Sequence, residues 1–275
     1  MKSTWLALKR EAELAAEHLA IGVTALGKAN YAQQAYYYQA FFALSIGLER
    51  AAKLALVIDY VLENKGAYPS NKEIRDYGHN LKELLDRVDQ IAERRGLSGT
   101  ENRLPRSEIH VEIIEILSDF ATNVTRYYNL DFVTGNPLTA QRTDPIQAWY
   151  VKVTLPILNK YYKPHYMRQQ EQKAKLIEQL IGKSTLVLFH DETGNTLNSV
   201  YEASIQATIT KIAIRYTRMY VLQIIRFIAR TLCELGNIAY TERLEDIPYL
   251  NDIFGIFNNS DEYFKNRKNW SIYKL

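Results

Sequence analysis

Apolar residues in the first part of the chain recur at steps of three and four positions, which is the period of one helical face. This spacing predicts a first helix from about Thr4 to Leu26. The stretch that follows is apolar on almost all sides, and it predicts a second, very long helix with Asn30 as its N-cap and its end near Gly66. Because a helix without a polar face needs neighbours on several sides, we expect this second helix at the centre of a bundle.

Capping residues and the same periodicity predict further helices along the chain. We expect a short segment capped by Ser70, a third helix from Asn80 to Arg95 closed by Gly96, a fourth capped by Ser107, a fifth that begins after Asp144 with Pro145 at its first position, and a sixth from about Ser199 to Leu235 that ends at Gly236. The stretch from Leu97 to Pro105 is predicted as a loop.

Two stretches depart from the helical period. Residues 186–197 combine a β-branched and aromatic run with a Thr-Gly-Asn turn, which predicts a β-hairpin. Residues 131–143 contain Gly135-Asn136-Pro137 and indicate a connection. The predicted fold class is therefore all-α, a long-helix bundle with one short hairpin near residues 186–197. We divide the chain into a bundle of residues 1–130, a connection of residues 131–143 and a helical region of residues 144–275 that packs on the first.

Composition excludes several classes of protein. A single cysteine, Cys233, rules out an internal disulfide and a cysteine-built zinc site, and indicates a reducing cytoplasm. The five histidines are not spaced for a metal, and no glycine-rich phosphate loop is present, so we expect neither metal nor cofactor. The longest apolar runs are interrupted by charged residues, which argues against a membrane span and a membrane partner. A net charge of +3 does not by itself indicate a nucleic-acid partner.

Four segments together carry motifs of a known family. The opening helix contains the alanine-rich run at residues 13–16, and the long second helix contains Gly-Leu-Glu-Arg-Ala-Ala-Lys-Leu at residues 47–54. Gly-His-Asn-Leu at residues 78–81 opens the third helix, and a helix of suitable length follows after a loop. Over roughly residues 1–130 the chain resembles the HEPN superfamily of helical bundles. This resemblance implies a helical, dimeric protein that is associated with nucleic acid.

The resemblance also implies a candidate ribonuclease site. Catalytic members of the superfamily carry an arginine followed, several residues later, by a histidine near the start of the fourth helix. Here Arg103 precedes His110 by six intervening residues, and Arg106 precedes it by three. A histidine can move the proton of a ribose hydroxyl, and an arginine can hold the phosphate. The alternative is that both arginines are solvated loop charges and that His110 is an ordinary surface residue.

Glu49 and Lys53 lie one helical turn apart on the otherwise apolar second helix. Since an unpaired buried charge is costly, we expect these two side chains to satisfy each other or to bind His79. We predict a structural polar network of Glu49, Lys53 and His79 rather than a catalytic site.

Cationic residues recur on one side of the sixth helix and occupy a sector of about 120° when each residue advances about 100°. Such a stripe is typical of a surface that follows nucleic-acid phosphates, and equally of a solvated face whose aliphatic stems cover apolar neighbours. The residues of this stripe are Lys211, Arg215, Arg218, Arg226 and Arg230.

Three functions are consistent with these features. The first is a non-catalytic HEPN-like protein, associated with RNA or with protein partners in a stress or defence setting, and homodimeric. The second is a metal-independent ribonuclease that uses Arg103 or Arg106 with His110. The third is a helical scaffold unrelated to RNA.

Overall fold

The computed structural model describes residues 3–122 and 124–272. Its α-helices are α1 (Ser3–Leu26), α2 (Ala35–Glu63), α3 (Asn71–Asp76), α4 (Leu81–Arg94), α5 (Glu108–Ala121), α6 (Tyr128–Val133), α7 (Pro145–Trp149), α8 (Leu155–Tyr161), α9 (Pro164–Ile181), α10 (Val200–Thr241), α11 (Asn251–Phe254) and α12 (Asp261–Asn266). Strands β1 (Phe189–His190) and β2 (Thr196–Leu197) pair antiparallel. The prediction of an all-α bundle with one short hairpin is confirmed.

Most helix starts follow the predicted caps. The Ser70 side chain accepts a hydrogen bond from the amide of Glu73, whose carboxylate in turn accepts from the Ser70 amide. The Asn80 side chain accepts from the Glu83 amide, and Asp144 accepts from two amides of the first turn of α7. These bonds satisfy amide groups that have no partner inside the helix, which explains why the helices begin at these positions.

Two predicted caps act differently. Asn30 does not cap α2: its side-chain oxygen accepts from the amide of Ala32 within a turn, and α2 begins only at Ala35. Ser107 occupies the N-cap position of α5 but makes no capping bond, because its hydroxyl is paired with the imidazole of His110.

One predicted helix end and two segments predicted to be irregular also need correction. The sixth helix does not end at Gly236, and α10 continues to Thr241. A Cβ on this glycine would lie 3.4 Å from the side chain of Leu250, which is ordinary contact, so the residue lies in the packed interior of the helix and does not end it. The predicted connection at residues 131–143 contains the end of α6 and a 3-10 turn over Pro137–Gln141. The loop before α5 contains a 3-10 turn over Thr100–Asn102.

Small residues bring α1 and α2 into close contact. A Cβ on Gly47 would lie 2.9 Å from the backbone nitrogen of Leu19, and a Cβ on Gly22 would lie 3.0 Å from that of Leu44. The backbones therefore approach at a distance that leaves no space for a methyl group at either crossing point.

We expect Gly47→Ala to lower the free energy of unfolding by about 1–3 kcal/mol, because the overpacking exceeds the gain in helix propensity. Urea unfolding followed by circular dichroism measures the change. The matched control is Gly255→Ala, since a Cβ there meets nothing within 4 Å and the residue has a negative φ. Equal stability of the Gly47 variant and wild type would contradict the close approach of α1 and α2.

The long helix α2 lies at the centre of the bundle, in contact with α1, α4, α5 and α10. Its buried residues include Phe41, Leu44 and Ile58, each fully covered. The same hydrophobic core contains the buried side chains of α10 from Met219 to Ala239. One core thus continues from the region that resembles HEPN domains into the region after residue 143.

The C-terminal segment, defined here as residues 258–272, runs along α10 and returns to α1. Phe264 and Trp270 are buried in the common core. The amide of Trp270 donates to the hydroxyl of Thr24 at 2.9 Å, and that hydroxyl lies 3.3 Å from the Trp270 carbonyl. This segment therefore covers one side of α10 and joins it to the end of α1.

Candidate functional site

Asp89 binds both arginines of the predicted ribonuclease motif. Its carboxylate lies 2.8 Å from Nε of Arg103 and 3.3 Å from Nη2 of Arg106, and it also accepts from the Leu104 amide at 2.9 Å. Burial alone would raise the pKa of Asp89, but the hydrogen bonds from these donors outweigh burial and lower its pKa. A second acid, Asp86, lies 3.0 Å from Arg106.

His110 is a buried residue with 5% of its surface exposed, so the alternative of an ordinary surface histidine is wrong. Its Nε2 lies 2.8 Å from Oε1 of Gln223, whose amide nitrogen donates to Asp261. Since the amide nitrogen faces a carboxylate, Oε1 accepts a hydrogen bond from Nε2–H, and Nδ1 accepts one from the hydroxyl of Ser107 at 2.7 Å. The ring edge contacts Tyr220.

Burial lowers the pKa of His110 to about 4. The imidazole is therefore neutral at pH 7, and both of its nitrogens are bonded within the chain. Within the part of the chain that the structure describes, no hydrogen bond or ion pair joins His110 to Arg103 or Arg106. The catalytic role of these three residues stays a prediction, and their observed contacts are those of structural side chains.

The structure brings Glu49, Lys53 and His79 together. One carboxylate oxygen of Glu49 accepts from Nζ of Lys53 at 2.9 Å and lies 2.8 Å from Nδ1 of His79. The carboxylate thus links α2 to the turn that precedes α4, which is a structural arrangement.

The basic stripe of α10 divides into two parts, and the part nearer the C-terminal end of the helix is neutralised. Nη1 of Arg226 lies 3.0 Å from Asp261 and donates to the Asn259 carbonyl. Nη1 of Arg230 lies 2.8 Å from Glu101. These two cations bind acids of the chain, so they offer little uncompensated charge to a phosphate.

The other part of the stripe lines a pocket of about 640 Å³, which we call the basic pocket. Its walls are the end of α1, the turn over residues 27–33, the first half of α10 and residues 268–269. No carboxylate of the described residues lines it. The cations that line it are Lys28, Lys211, Arg215, Arg218 and Lys268.

Arg218 is the buried member of this group, with 3% of its surface exposed. Its terminal nitrogens donate to the backbone carbonyls of Lys265 and Lys268, and its Nε has no hydrogen-bond partner among the described residues. Burial, followed by the positive charge of Arg215, lowers the pKa of Arg218. A Cβ on Gly27 would lie 3.1 Å from its Nη1, so this glycine leaves space for the guanidinium.

Among the described residues no ion pair joins these five cations to an acid, and the nearby carboxylate of Glu262 pairs with Lys265 and acts on Arg215 only electrostatically. Arg215 donates to the side-chain oxygen of Asn266, which is a neutral acceptor. The aliphatic and aromatic residues of the wall include Ile214 and Tyr31, and the Tyr31 ring packs edge-on against Phe189. A pocket with excess positive charge and no lining acid in the described chain is suited to an anionic ligand.

Sequence reasoning found three of the five cations and missed Lys28 and Lys268. Both lie outside regular helices, so helical periodicity cannot relate them to α10. Lys28 reaches the pocket from the turn after α1, and Lys268 reaches it because the C-terminal segment returns to the end of α1.

Other classes of site find no support in residues 3–122 and 124–272. No three His, Cys, Asp or Glu side chains of these residues form a group that could hold a metal ion. None of their helices combines the length and the apolar character that a membrane span requires. Comparison of the chain with family models, with curated proteins and with solved structures found no match.

Proposed function

We propose that this chain is a nucleic-acid-associated helical protein that holds RNA by its phosphates in the basic pocket. The observation that carries this proposal is the set of five cations around one pocket without a lining carboxylate in the described chain. The net charge of the whole chain is only +3, so the positive charge is concentrated locally. Phosphate contacts supply most of the sequence-independent affinity of proteins for nucleic acid.

The resemblance to HEPN domains supplies a homodimer in a stress or defence setting, and the single cysteine, Cys233, supplies the cytoplasmic location. Catalysis is left out of the proposal, because both nitrogens of His110 are bonded to protein groups and Arg103 and Arg106 are bound to acids.

We expect the double variant Lys211→Glu/Arg215→Glu to bind a single-stranded RNA at least about tenfold more weakly than wild type, because it reverses two charges that face phosphates. The slope of log affinity against log salt should fall by about 1.4, since each phosphate interaction with a single strand contributes about 0.7. Fluorescence anisotropy with a labelled RNA of mixed sequence measures both quantities. Both residues are exposed, so the substitutions do not disturb the core.

The matched control is Arg168→Glu/Lys175→Glu, which changes the net charge equally at exposed positions of α9 outside the pocket. We expect its affinity to stay within about twofold of wild type, since neither residue faces a bound phosphate. Equal reductions in the two variants, or no RNA binding by wild type, would contradict the proposal.

A further inference from the structure

We infer that the basic pocket recognises a terminal phosphate group, as found at a phosphorylated RNA end or on a free nucleotide, in preference to the internal phosphates of a strand. The inference deepens the proposed function and rests on it for the identity of the pocket. Three observations carry it: the amount of charge in the pocket, the place where the charge ends, and the scarcity of free polar groups for reading bases.

The amount of charge exceeds what one internal phosphate requires. A phosphodiester carries a single negative charge, whereas a phosphomonoester carries about −1.5 to −2 near neutral pH, and a polyphosphate carries more. Five cations from three separate parts of the chain converge on one pocket of about 640 Å³. Such convergence matches a compact group with several charges.

The basic surface is also too short to follow a strand. From Lys211 through Arg215 to Arg218 the helix advances by seven residue steps, or about 10 Å at about 1.5 Å per residue. Beyond them the next cations of the same stripe, Arg226 and Arg230, are bound to Asp261 and Glu101. Along α10 the positive charge without an acid partner therefore ends at the buried Arg218.

Three of the polar side chains around the pocket form hydrogen bonds within the chain. Asn30 donates to Gln33 and accepts from a backbone amide, and the hydroxyls of Thr24 and Thr210 are bonded to backbone groups. Base edges are read through free hydrogen-bonding groups, and those that remain here belong to Tyr31, Gln33 and Asn269, fewer than the five cations of the lining. We expect binding that depends on the phosphate and is insensitive to the base.

Arg218 gives this preference its physical basis. Its guanidinium is held in place by two backbone carbonyls and is removed from water, so its charge is less screened than that of the exposed lysines. The same bonds fix residues 265 and 268 of the C-terminal segment and thereby position Lys268 at the pocket. Arg218 thus supplies charge and positions a second cation.

The test compares RNAs of one sequence that end in a 5′-hydroxyl, a 5′-monophosphate, a 5′-triphosphate or a 3′-phosphate. We expect wild type to bind at least one phosphorylated end about tenfold or more tightly than the hydroxyl form, because that end carries the additional charge. In Lys211→Gln and Lys268→Gln, both at exposed positions, the preference should fall several-fold, while Arg168→Gln should keep it. Arg218→Gln should abolish it, and the two lysine variants keep the test valid if the arginine variant does not fold.

Competition with inorganic pyrophosphate and with nucleoside mono- and triphosphates tests whether the terminal phosphate belongs to an RNA end or to a free nucleotide. Displacement of phosphorylated RNA by nucleotides with different bases at similar concentrations supports recognition of the phosphate alone. Equal affinity for hydroxyl and phosphate ends overturns the inference, and the proposed RNA function then stands if Lys211→Glu/Arg215→Glu still weakens binding. If nucleotides bind through the pocket and RNA does not, the proposed function fails and the inference holds for nucleotides.

Discussion

Asp89→Ala is expected to lower the free energy of unfolding by about 2–4 kcal/mol, because it leaves the buried Leu104 amide without its acceptor and removes the carboxylate that Arg103 and Arg106 share. The residue is 6% exposed, and its carboxylate receives bonds from Arg103, Arg106 and the amide of Leu104. It therefore holds the loop before α5 against α4. The change is measured by urea unfolding at neutral pH.

The control for this prediction is Asp86→Ala, which removes an acid that binds Arg106 from a half-buried position near the surface. Its cost should be below about 1 kcal/mol, as for exposed ion pairs. A loss of stability at position 89 no larger than at position 86 would mean that the buried carboxylate does not hold the loop. The comparison also bears on the ribonuclease hypothesis, since it measures how firmly both arginines are bound to structural acids.

The second large effect is a loss of stability at acid pH that depends on His110. Its pKa is about 4 in the folded chain, and the ordinary value in the unfolded chain is 6.5. Between these values the unfolded chain binds the proton and the folded chain does not, so the free energy of unfolding falls as pH falls. The shift corresponds to roughly 3 kcal/mol between about pH 7 and about pH 4, at about 1.4 kcal/mol per pKa unit.

The measurement is urea unfolding of wild type and His110→Phe at several pH values in this window. The variant is less stable at neutral pH because Ser107 and Gln223 lose their partner, but its stability should depend less on pH. The difference between the two chains isolates His110, since burial raises the pKa of Glu192 and this acid acts in the opposite direction. Parallel pH profiles would show that the imidazole takes up its proton equally in both states.

The positions of the helices could be predicted because their signals are local. Apolar spacing sets which face of each helix is buried, and the caps at Ser70, Asn80 and Asp144 act over two or three residues. Local signals give a wrong helix boundary where contacts with residues distant in the sequence determine the structure. Gly236 is typical of a helix end, yet it is buried against Leu250 in the interior of α10.

The candidate site was predictable only in part, for the same reason. Helical periodicity placed Lys211, Arg215 and Arg218 on one face of α10. It placed Arg226 and Arg230 on the same face, with no sign that these two are bound to acids. Partners from distant segments neutralise the last two, and nothing in their own spacing indicates those partners. His110 is a further example, because it is buried against α10, whose residue Gln223 lies 113 residues further along the chain.

The return of residues 258–272 to α1 has a consequence for biosynthesis. These residues leave the ribosome after all of the helices that they cover, and they supply both the carbonyls that hold Arg218 and one of the lysines beside it. A nascent chain that has already formed α1, α2 and α10 still has an open side along α10. The basic pocket is therefore complete only after residues 258–272 have been synthesised and have packed against α10 and α1.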